Sequence, residues 1–361
     1  MAAELSLPAL DKQSWLLAPG PGDDVAVSTR IRLARNIQGF PFRVRMEAEQ
    51  GRSLEDFLSR QLLKIPLEGK LPGSGVRGKL TYYALADVDE LHLRLLFERH
   101  LISMEHVKGQ GPRGVAFSDS GDVSIMVNEE DHLRIQVMAS GFCTEELYEK
   151  IDALDDLLDG HVPYSFHPRF GFLTSCPTNV GTGMRASVML HLPALVISKH
   201  IEKVFNAVSK MSLAARGCFG EGTEPLGDLF QISNQITLGK TPQDILVDVK
   251  KAIPRIVDYE REVRRILLTD EKKVLEDKVW RAYGTLTHAR SISSEETFHA
   301  LSHVRMGVHL GIFKEIPLEL VNELMVVTQP AHLQKLLGRE LKPEERDVER
   351  AATIRQRLAG K

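Results

Sequence analysis

The segment from residue 174 to residue 185, TSCPTNVGTGMR, combines residue types that suit chemistry on an anionic ligand. Cys176 precedes a proline, which disfavours helical backbone at the cysteine. Gly181 and Gly183 allow tight turns and a close approach of the main chain to a ligand. Arg185 supplies a planar guanidinium that matches phosphate or carboxylate oxygens. The segment is therefore predicted to be a loop of a functional site.

Five arginines in or beside turn-rich segments are candidates for binding phosphate. They are Arg30, Arg32, Arg134, Arg185 and Arg216. A triphosphate carries about four negative charges, and guanidinium groups hold such an anion through bidentate, charge-assisted hydrogen bonds. The chain has no G-x-x-x-x-G-K-[ST] motif, so a P-loop cannot bind the phosphates. Each arginine taken singly is more often a surface residue, and only the combination favours a phosphate site.

Two of these arginines lie in a run that alternates as a β-strand does, from Val25 to Leu33. In a strand, Arg30 and Arg32 share one face, and the apolar Ile31 shares the other face with Leu33. Such a strand suits an anion site. The alternative is an edge strand that uses arginine to deter aggregation, and for the segment in isolation this is the commoner case.

The hydrophobic pattern predicts an α+β fold, in which an antiparallel β-sheet flanked by helices precedes an all-α C-terminal region. Strands are predicted at 114–117, 123–127, 133–138, 212–219 and 228–237, and helices at 54–64, 87–102, 144–160 and from Pro193. From Thr241 onward only helices are expected, the first kinked before Pro254. We therefore predict two domains, 15–255 and 256–361.

Composition limits the class of protein. The 361 residues carry a net charge of −3 without a block of like charges, which gives no support for nucleic-acid or membrane-surface binding. No secretory signal pattern or apolar span is present, so a cytoplasmic protein is expected. Three widely spaced cysteines, Cys143, Cys176 and Cys218, fit neither a disulfide framework nor a zinc site, and should be reduced thiols.

Four motifs resemble those of the phosphagen (guanidino) kinase family. They are C-P-[ST]-N-x-G-T in the cysteine loop, S-T-R-x-R, N-E-E-D-H-L-R and R-G-x-x-G-E. Members of that family transfer the terminal phosphoryl group of ATP to a guanidinium nitrogen. The resemblance implies the guanidino kinase catalytic fold for the first domain. It also implies an ATP site formed by Ser28, Arg30, Arg32, Arg134, Arg185 and Arg216.

The resemblance further implies that Glu221, Glu130 and Cys176 are catalytic. A guanidinium has a pKa above about 12, so a carboxylate can accept its proton only if it also orients the group in a water-poor site. Glu221 is the preferred base and Glu130 the orienting partner, although a solvated loop acid is the commoner role for either. The thiolate of Cys176 should lie near the substrate guanidinium, which lowers its pKa; the alternative is an inert buried thiol.

The nucleotide implies Mg²⁺, but the sequence shows no carboxylate cage for it. Contact through water to Glu129 or Glu130 is the expectation. His132 is a possible ligand, although a packed or capping role is commoner. Met189 and Phe219 stand where small-molecule members of the family usually have histidine and arginine, which leaves the adenine contacts open.

Two features distinguish the chain from kinases of free arginine or creatine. Only 27 residues precede Ser28, which predicts a more open substrate pocket, and a segment R-D-x-x-R-A follows Pro343. Both features resemble the McsB-type protein arginine kinases. In that family Arg346, Asp347 and Arg350 would bind phosphoarginine allosterically. The resemblance implies protein substrates including the repressor CtsR, an activator McsA, and delivery of tagged proteins to the ClpC–ClpP protease.

Two other functions remain open at this stage: a kinase of a free guanidino compound, and a catalytically silent phosphoarginine-binding adaptor. The C-terminal helices are also predicted to self-associate as a homodimer or higher oligomer, because apolar residues are dense at Leu301, Val304, Val308 and Leu310. A self-contained helical bundle is the alternative.

Overall fold

The computed structural model describes residue 7 and residues 17–72, 79–217 and 226–360. Its centre is an eight-stranded antiparallel sheet. The strands are β1 (Ala26–Arg35), β2 (Thr81–Ala84), β3 (Gly114–Phe117), β4 (Val123–Val127), β5 (Leu133–Ser140), β8 (Met184–His191), β9 (Leu213–Gly217) and β10 (Leu229–Asn234). Their order across the sheet is β2-β3-β4-β5-β1-β8-β10-β9. A separate hairpin pairs β6 (Phe166–His167) with β7 (Gly171–Phe172). The predicted α+β fold with an antiparallel sheet is confirmed.

Helices flank the sheet and then make up the rest of the chain. They are α1 (Ala48–Leu62), α2 (Glu90–Glu98), α3 (Met104–Lys108), α4 (Thr144–Asp159), α5 (Pro193–Ile197), α6 (Ile201–Lys210), α7 (Pro242–Asp270), α8 (Lys272–His288), α9 (Ser294–His309), α10 (Leu318–Val327), α11 (Pro330–Leu337) and α12 (Pro343–Ala359). Among the described residues, none of these helices is long and apolar enough to cross a lipid bilayer.

Two predicted helices end earlier than their apolar pattern suggested, because the backbone takes a left-handed conformation there. Lys199, with φ of 60°, separates α5 from α6, and His100, with φ of 57°, follows the end of α2. The first long helix after Thr241 is α7, which continues through Pro254 to Asp270. The domain boundary near residue 255 is predicted in the middle of this helix, and it stays a prediction.

Strand β1 is an interior strand, paired with β5 on one side and β8 on the other. The alternative of an edge strand is wrong. Ile31 and Leu33 point into the main core as predicted, and α4 packs on this strand and on β5. The long helix α7 packs against β8 and β10. Helix α4 therefore covers the face of β1 that carries Ile31 and Leu33, and Arg30 and Arg32 lie on the opposite face.

The C-terminal helices are joined to the sheet by a buried polar network. His191 at the end of β8 donates from Nε2 to Ser302 of α9 (2.8 Å), and Ser302 donates to Asp228 (2.6 Å). Arg305 of the same helix donates to Nδ1 of His191 (3.0 Å) and to the carbonyl of Asp23 (2.5 Å). Since buried polar groups must be paired, these bonds fix α9 against the sheet.

The apolar residues that suggested self-association lie mostly inside the subunit. Leu301 and Val304 are buried, and Val308 and Leu310 pack against the same core. The dense apolar pattern therefore has an internal explanation, and self-association stays a prediction without support from Leu301 or Val304.

Candidate active site

A cleft of about 350 Å³ collects most of the residues that the sequence singled out. All five predicted arginines line it, together with Glu130 and Cys176. Ser28 lies in a smaller adjoining compartment instead. Glu221, Cys218 and Phe219 lie outside the described residues. The arginines come from four strands, β1, β5, β8 and β9, so their convergence is a property of the fold.

The register of the sheet explains how the arginines come together. Arg32 of β1 faces Arg185 of β8 directly, and Ala34 in the same strand faces Arg134 of β5. Farther along the sheet, Arg216 of β9 is opposite Gln231 of β10. Side chains two residues apart share a face, so neighbouring strands present their guanidinium groups to one cleft.

The guanidinium cluster is electrostatically costly without an anion. Burial lowers the pKa of Arg30 to about 10, with added repulsion from Arg134 and Arg185. Burial, and then the charge of Arg30, lowers the pKa of Arg32 well below its ordinary value. Arg30 donates to Gln231 Oε1 (2.9 Å), whereas Nε of Arg32 is buried without a hydrogen-bond partner among the described residues. A polyanion would relieve both the repulsion and the missing hydrogen bond.

Glu129 has a structural role that the sequence reasoning missed. Its side chain is 2% exposed, and Oε1 accepts hydrogen bonds from Arg134 and Ser103, both at 2.5 Å. Burial opposes ionisation, yet these partners lower the pKa of Glu129 to about 2. Burial alone would lower the pKa of Arg134, but Glu129 overrides that effect and raises it. The only sequence signal was an acid and an arginine on either side of the turn between β4 and β5.

The turn that follows Glu129 is tied to the cysteine loop. Asp131 accepts hydrogen bonds from Asn36 Nδ2 and from the backbone N–H of Ser175, both at 2.6 Å. Glu130 lies beside this junction, and its pKa is raised by partial burial and then by the charge of Asp131. Its carboxylate therefore holds a proton more strongly than an ordinary glutamate does, which suits a proton acceptor.

His132 is a packed residue, as the sequence favoured. Its Nδ1 accepts the backbone N–H of Ile37 (2.9 Å), and its Nε2 donates to the carbonyl of Pro41 (2.9 Å). Both ring nitrogens of His132 therefore form hydrogen bonds with the main chain.

The cysteine loop brings a free thiol to the cleft. Cys176 is half-buried, its Sγ lies 3.0 Å from the hydroxyl of Thr178, and a single 3₁₀ turn follows at Pro177–Asn179. The glycines of this loop serve packing. A Cβ on Gly181 would lie 2.7 Å from the carbonyl oxygen of Thr237, and one on Gly183 would lie 2.6 Å from that of Ala34. Gly183 also lines the cleft, as the sequence predicted for a residue near the ligand.

The acids of the cleft fit a magnesium ion that is carried by the nucleotide. No group of three or more potential metal ligands occurs within the described ranges, and Glu129 is already engaged by Arg134. Mg²⁺ commonly takes only one or two protein carboxylates, with phosphate oxygens and water completing its shell. Glu130 is the acid that would contribute, directly or through water, and the ion would neutralise phosphate charge there.

Comparison with known proteins identifies the family. Residues 71–263 match the family model described as ATP:guanido phosphotransferase, C-terminal catalytic domain, and residues 272–361 match the Protein-arginine kinase McsB C-terminal domain. Curated relatives named protein-arginine kinase are 44% identical over 346 residues in Geobacillus stearothermophilus and 43% identical over 349 residues in Bacillus subtilis, in each case across 96% of this chain and 93% of the relative. The chain belongs to the protein-arginine kinase family.

Solved structures of other guanidino kinases share the fold. The duplicated taurocyamine kinase from Schistosoma mansoni with bound transition state analog components matches with a TM-score of 0.59 and 27% identity, over 72% of this chain and 35% of that one. Lombricine kinase matches with a TM-score of 0.56 and 25% identity, over 71% of each chain. The guanidino kinase catalytic fold predicted for the first part of this protein-arginine kinase family member is confirmed.

The R-D-x-x-R-A segment that suggested a phosphoarginine site lies on α12. Arg350 is buried, and it donates to the carbonyls of Thr328 and Ile292, both at 2.8 Å, and to Asp347 at 2.5 Å. Arg346 and Asp347 are partly exposed. The three predicted residues are therefore neighbours on one helix, but Arg350 also holds adjacent chain segments in place.

Proposed function

We propose that this protein is an ATP-dependent protein arginine kinase, which transfers the terminal phosphoryl group of ATP to arginine side chains of proteins. The observation that carries the proposal is the convergence of five arginines with Glu130 and Cys176 in one cleft. Arginines distribute their charge over the phosphates, and phosphoryl transfer depends mainly on such positioning and electrostatic stabilisation. Protein-arginine kinase relatives matched along almost the whole chain favour a protein acceptor over a free guanidino compound.

The proposed reaction moves a phosphoryl group from ATP to an arginine side chain within the cleft. The N–P bond forms between a guanidinium nitrogen and the γ-phosphorus, the bond from that phosphorus to the bridging oxygen breaks, and ADP leaves with the electron pair. A carboxylate accepts the proton of the nitrogen. Glu221 is the proposed base, and Glu130 is the proposed orienting partner. The raised pKa of Glu130 means that its carboxylate binds a proton more strongly, so it can form a strong hydrogen bond to the guanidinium N–H. Cys176 would contact the guanidinium from the cysteine loop.

The cellular role is proposed from the family resemblance. Phosphoarginine would mark proteins for the ClpC–ClpP protease, the repressor CtsR would be one substrate, and McsA would activate the enzyme in the cytoplasm. Arg346, Asp347 and Arg350 would bind phosphoarginine on tagged proteins and raise activity towards them. A homodimer or larger homo-oligomer is the proposed assembly.

The test is direct detection of the product. The purified chain is incubated with ATP, Mg²⁺ and a mixed protein substrate, and the products are analysed by mass spectrometry without acid, which cleaves the N–P bond. Phosphoarginine in protein is the expected result. A parallel incubation with free arginine separates the two kinase functions, since phosphorylation of free arginine alone would replace the proposal. If neither incubation yields phosphoarginine although the chain binds ATP, the result would favour a catalytically silent adaptor.

A further inference from the structure

Arg35, the last residue of β1, is buried against the two ends of the cysteine loop. Its side chain is 3% exposed. Nε and Nη2 donate to the carboxylate of Asp155 on α4, Nη2 at 2.6 Å, and Nη1 donates to the carbonyl of Thr182 at 2.9 Å. The guanidinium also lies over the ring of Phe172, 3.6 Å from its centroid. One side chain therefore contacts the polypeptide on both sides of Cys176.

We propose that Arg35 and Asp155 are positioning residues for phosphoryl transfer, because together they hold the cysteine loop in the shape that directs Cys176 to the acceptor guanidinium. The inference rests on the proposed function, since it takes Cys176 as a residue that contacts the substrate. It goes further by assigning a role in the reaction to an ion pair outside the cleft. Neither Arg35 nor Asp155 is among the described residues that line the cleft.

The main chain at the two ends of the loop is paired. The N–H of Phe172 donates to the carbonyl of Gly181 at 2.8 Å, and the N–H of Gly181 donates to the carbonyl of Phe172 at 3.2 Å. Arg35 adds side-chain contacts to both ends of that pairing, through the ring of Phe172 and the carbonyl of Thr182. Cys176 lies in the closed part of the loop, so its position depends on how these ends are held.

The contact at Gly183 shows how closely the guanidinium and the loop approach each other. A Cβ at Gly183 would lie 2.7 Å from Nη1 of Arg35, and the φ of 63° there is in the left-handed region. Glycine is therefore the residue that lets the main chain pass this close to the guanidinium. Because Gly183 lines the cleft, a shift of Arg35 would move part of the cleft wall.

Asp155 sets the orientation of the guanidinium. Its carboxylate accepts hydrogen bonds from Nε and Nη2, the bidentate arrangement that fixes the plane of an arginine side chain. In that orientation Nη1 is directed to Thr182 and the flat face lies over Phe172. A lysine would keep the positive charge, but its single ammonium group has neither the fork nor the flat face. The three contacts together therefore require arginine.

Loss of these contacts should slow transfer more than it weakens ATP binding. Arg185, the proposed phosphate-binding residue after the loop, is held in β8 by its pairing with β1. Thr237 separately anchors the middle of the loop by donating to the carbonyls of Thr178 (2.9 Å) and Val180 (2.7 Å). We therefore expect the ends of the loop to loosen while the phosphate site keeps its geometry. A displacement of about 1 Å can cost up to about a hundredfold in rate.

The test measures turnover and loop order in the same variants. Full-length Arg35→Lys and Asp155→Asn are compared with the wild type in the kinetics of phosphoarginine formation and in backbone hydrogen exchange, read by mass spectrometry. Each variant should lower kcat about tenfold and leave the KM for ATP within about twofold. Exchange should become faster in residues 171–182. A purely structural defect would lower the melting temperature without this split between kcat and KM.

The matched control is Lys150→Met. Lys150 lies on the same helix α4 and forms an ion pair with Asp122, in which both side chains are 13% exposed. Neither residue lines the cleft as described. The control should lower stability but leave kcat and the exchange of residues 171–182 unchanged. A similar loss of kcat in Lys150→Met, or an unchanged kcat in Arg35→Lys and Asp155→Asn, would overturn the inference.

A third variant, Phe172→Leu, keeps the test decisive if the ion-pair variants fold poorly. It retains the pair of Arg35 with Asp155 and removes only the aromatic face, so it should lower kcat about threefold with the same local rise in exchange. Unchanged kcat and exchange in Phe172→Leu would count against the inference. Wild-type protein that forms no phosphoarginine would reject the proposed function, whereas the exchange comparison would still show whether Arg35 holds the loop.

Discussion

Arg32 shows at the scale of one residue how the cleft is prepared for an anion. Its Nε is buried without a hydrogen-bond partner among the described residues, and burial together with Arg30 lowers its pKa well below the ordinary value. A folded protein retains such a group only if the rest of the structure overdetermines it. The free-energy cost is offset when phosphate oxygens enter, so the arginines discriminate strongly in favour of a polyanion.

Substitutions at two residues should separate transfer from binding. Glu221→Ala removes the proposed base and should lower kcat at least about a hundredfold while ATP affinity stays nearly unchanged. Arg185→Ala removes a phosphate partner and should weaken ATP about tenfold or more. Phosphoarginine formation and ATP titration, measured on both variants, check the two effects. Near-wild-type turnover of Glu221→Ala on protein substrate would show that the base has been assigned wrongly.

At the scale of elements, the turn between β4 and β5 positions Arg134 through one buried acid. Glu129→Gln keeps the shape of that side chain but removes the carboxylate charge that contacts the guanidinium. Removing one partner of a buried ion pair typically costs about 3 kcal/mol or more. We therefore expect the free energy of unfolding, measured by denaturant titration, to fall by about 3 kcal/mol.

The control for this change is Glu105→Gln. Glu105 lines the same cleft but is exposed, and exposed substitutions usually stay within about 0.5 kcal/mol. Equal stability of the two variants would mean that Glu129 does not fix Arg134. Added ATP should restore part of the stability lost in Glu129→Gln, since ligand binding to the folded state stabilises it.

The R-D-x-x-R-A residues of α12 are expected to bind phosphoarginine, while Arg350 and Asp347 also hold the helix in place. The double variant Arg346→Ala/Asp347→Ala should lose phosphoarginine binding in calorimetry, about tenfold or more, and should melt at a lower temperature because the buried Arg350 loses its carboxylate partner. Arg350→Ala should also lower the melting temperature by several degrees, because the carbonyls of Thr328 and Ile292 lose their donor. Equal phosphoarginine affinity of the double variant and the wild type would remove the ligand site from this helix.

At the scale of the whole molecule, two buried and neutral histidines join the C-terminal helices to the rest of the chain, one at the sheet and one at α2. His191 accepts from Arg305 and donates to Ser302. His332 of α11 accepts from Arg99 (2.5 Å) and donates to Glu98 of α2 (2.7 Å). An added proton would remove the acceptor nitrogen from each ring. Burial accordingly lowers the pKa of both histidines, that of His191 well below its ordinary value.

The burial of neutral histidines predicts that the protein loses stability in mild acid. Burial lowers the pKa of His100, His106 and His309 to about 4 in the folded state, whereas an unfolded histidine titrates near pH 6.5. The unfolded state therefore binds more protons between these values, and each such histidine costs up to about 1.4 kcal/mol per pH unit as the pH falls. From about pH 7.5 upward these histidines should contribute almost no pH dependence, because the unfolded histidines are then largely neutral as well.

Denaturant titrations at pH 7.5, 6.5 and 5.5 measure the effect. Unfolding midpoints should fall moderately from pH 7.5 to 6.5 and more steeply from 6.5 to 5.5, and His191→Asn should show a shallower pH dependence than the wild type. The lowered pKa of Glu129, about 2, adds acid sensitivity only below the ordinary glutamate range. A stability that is flat down to pH 5 would contradict neutral burial of these histidines.

The sequence by itself determined the local elements and the type of chemistry. Strands β3 and β4 have the predicted limits, and β1 places Arg30 and Arg32 on one face, because side-chain alternation depends only on neighbours two residues away. Proline stands in the first turn of α7, α11 and α12, where its fixed backbone angle suits the start of a helix. The candidate arginines and acids were identified because their motifs resemble those of a known family. Each of these residues taken alone is more often a surface residue.

Only the tertiary structure decided which of these residues meet. The register that sets Arg32 opposite Arg185 joins strands more than a hundred residues apart, and no local pattern contains it. The ion pair of Glu129 with Arg134, the burial of Arg350 and the contact of Arg35 with the cysteine loop depend in the same way on how elements pack. Local propensity acts over one or two turns of chain, whereas the shape and charge of a cleft are set by long-range contacts whose free energy appears only when the elements are assembled.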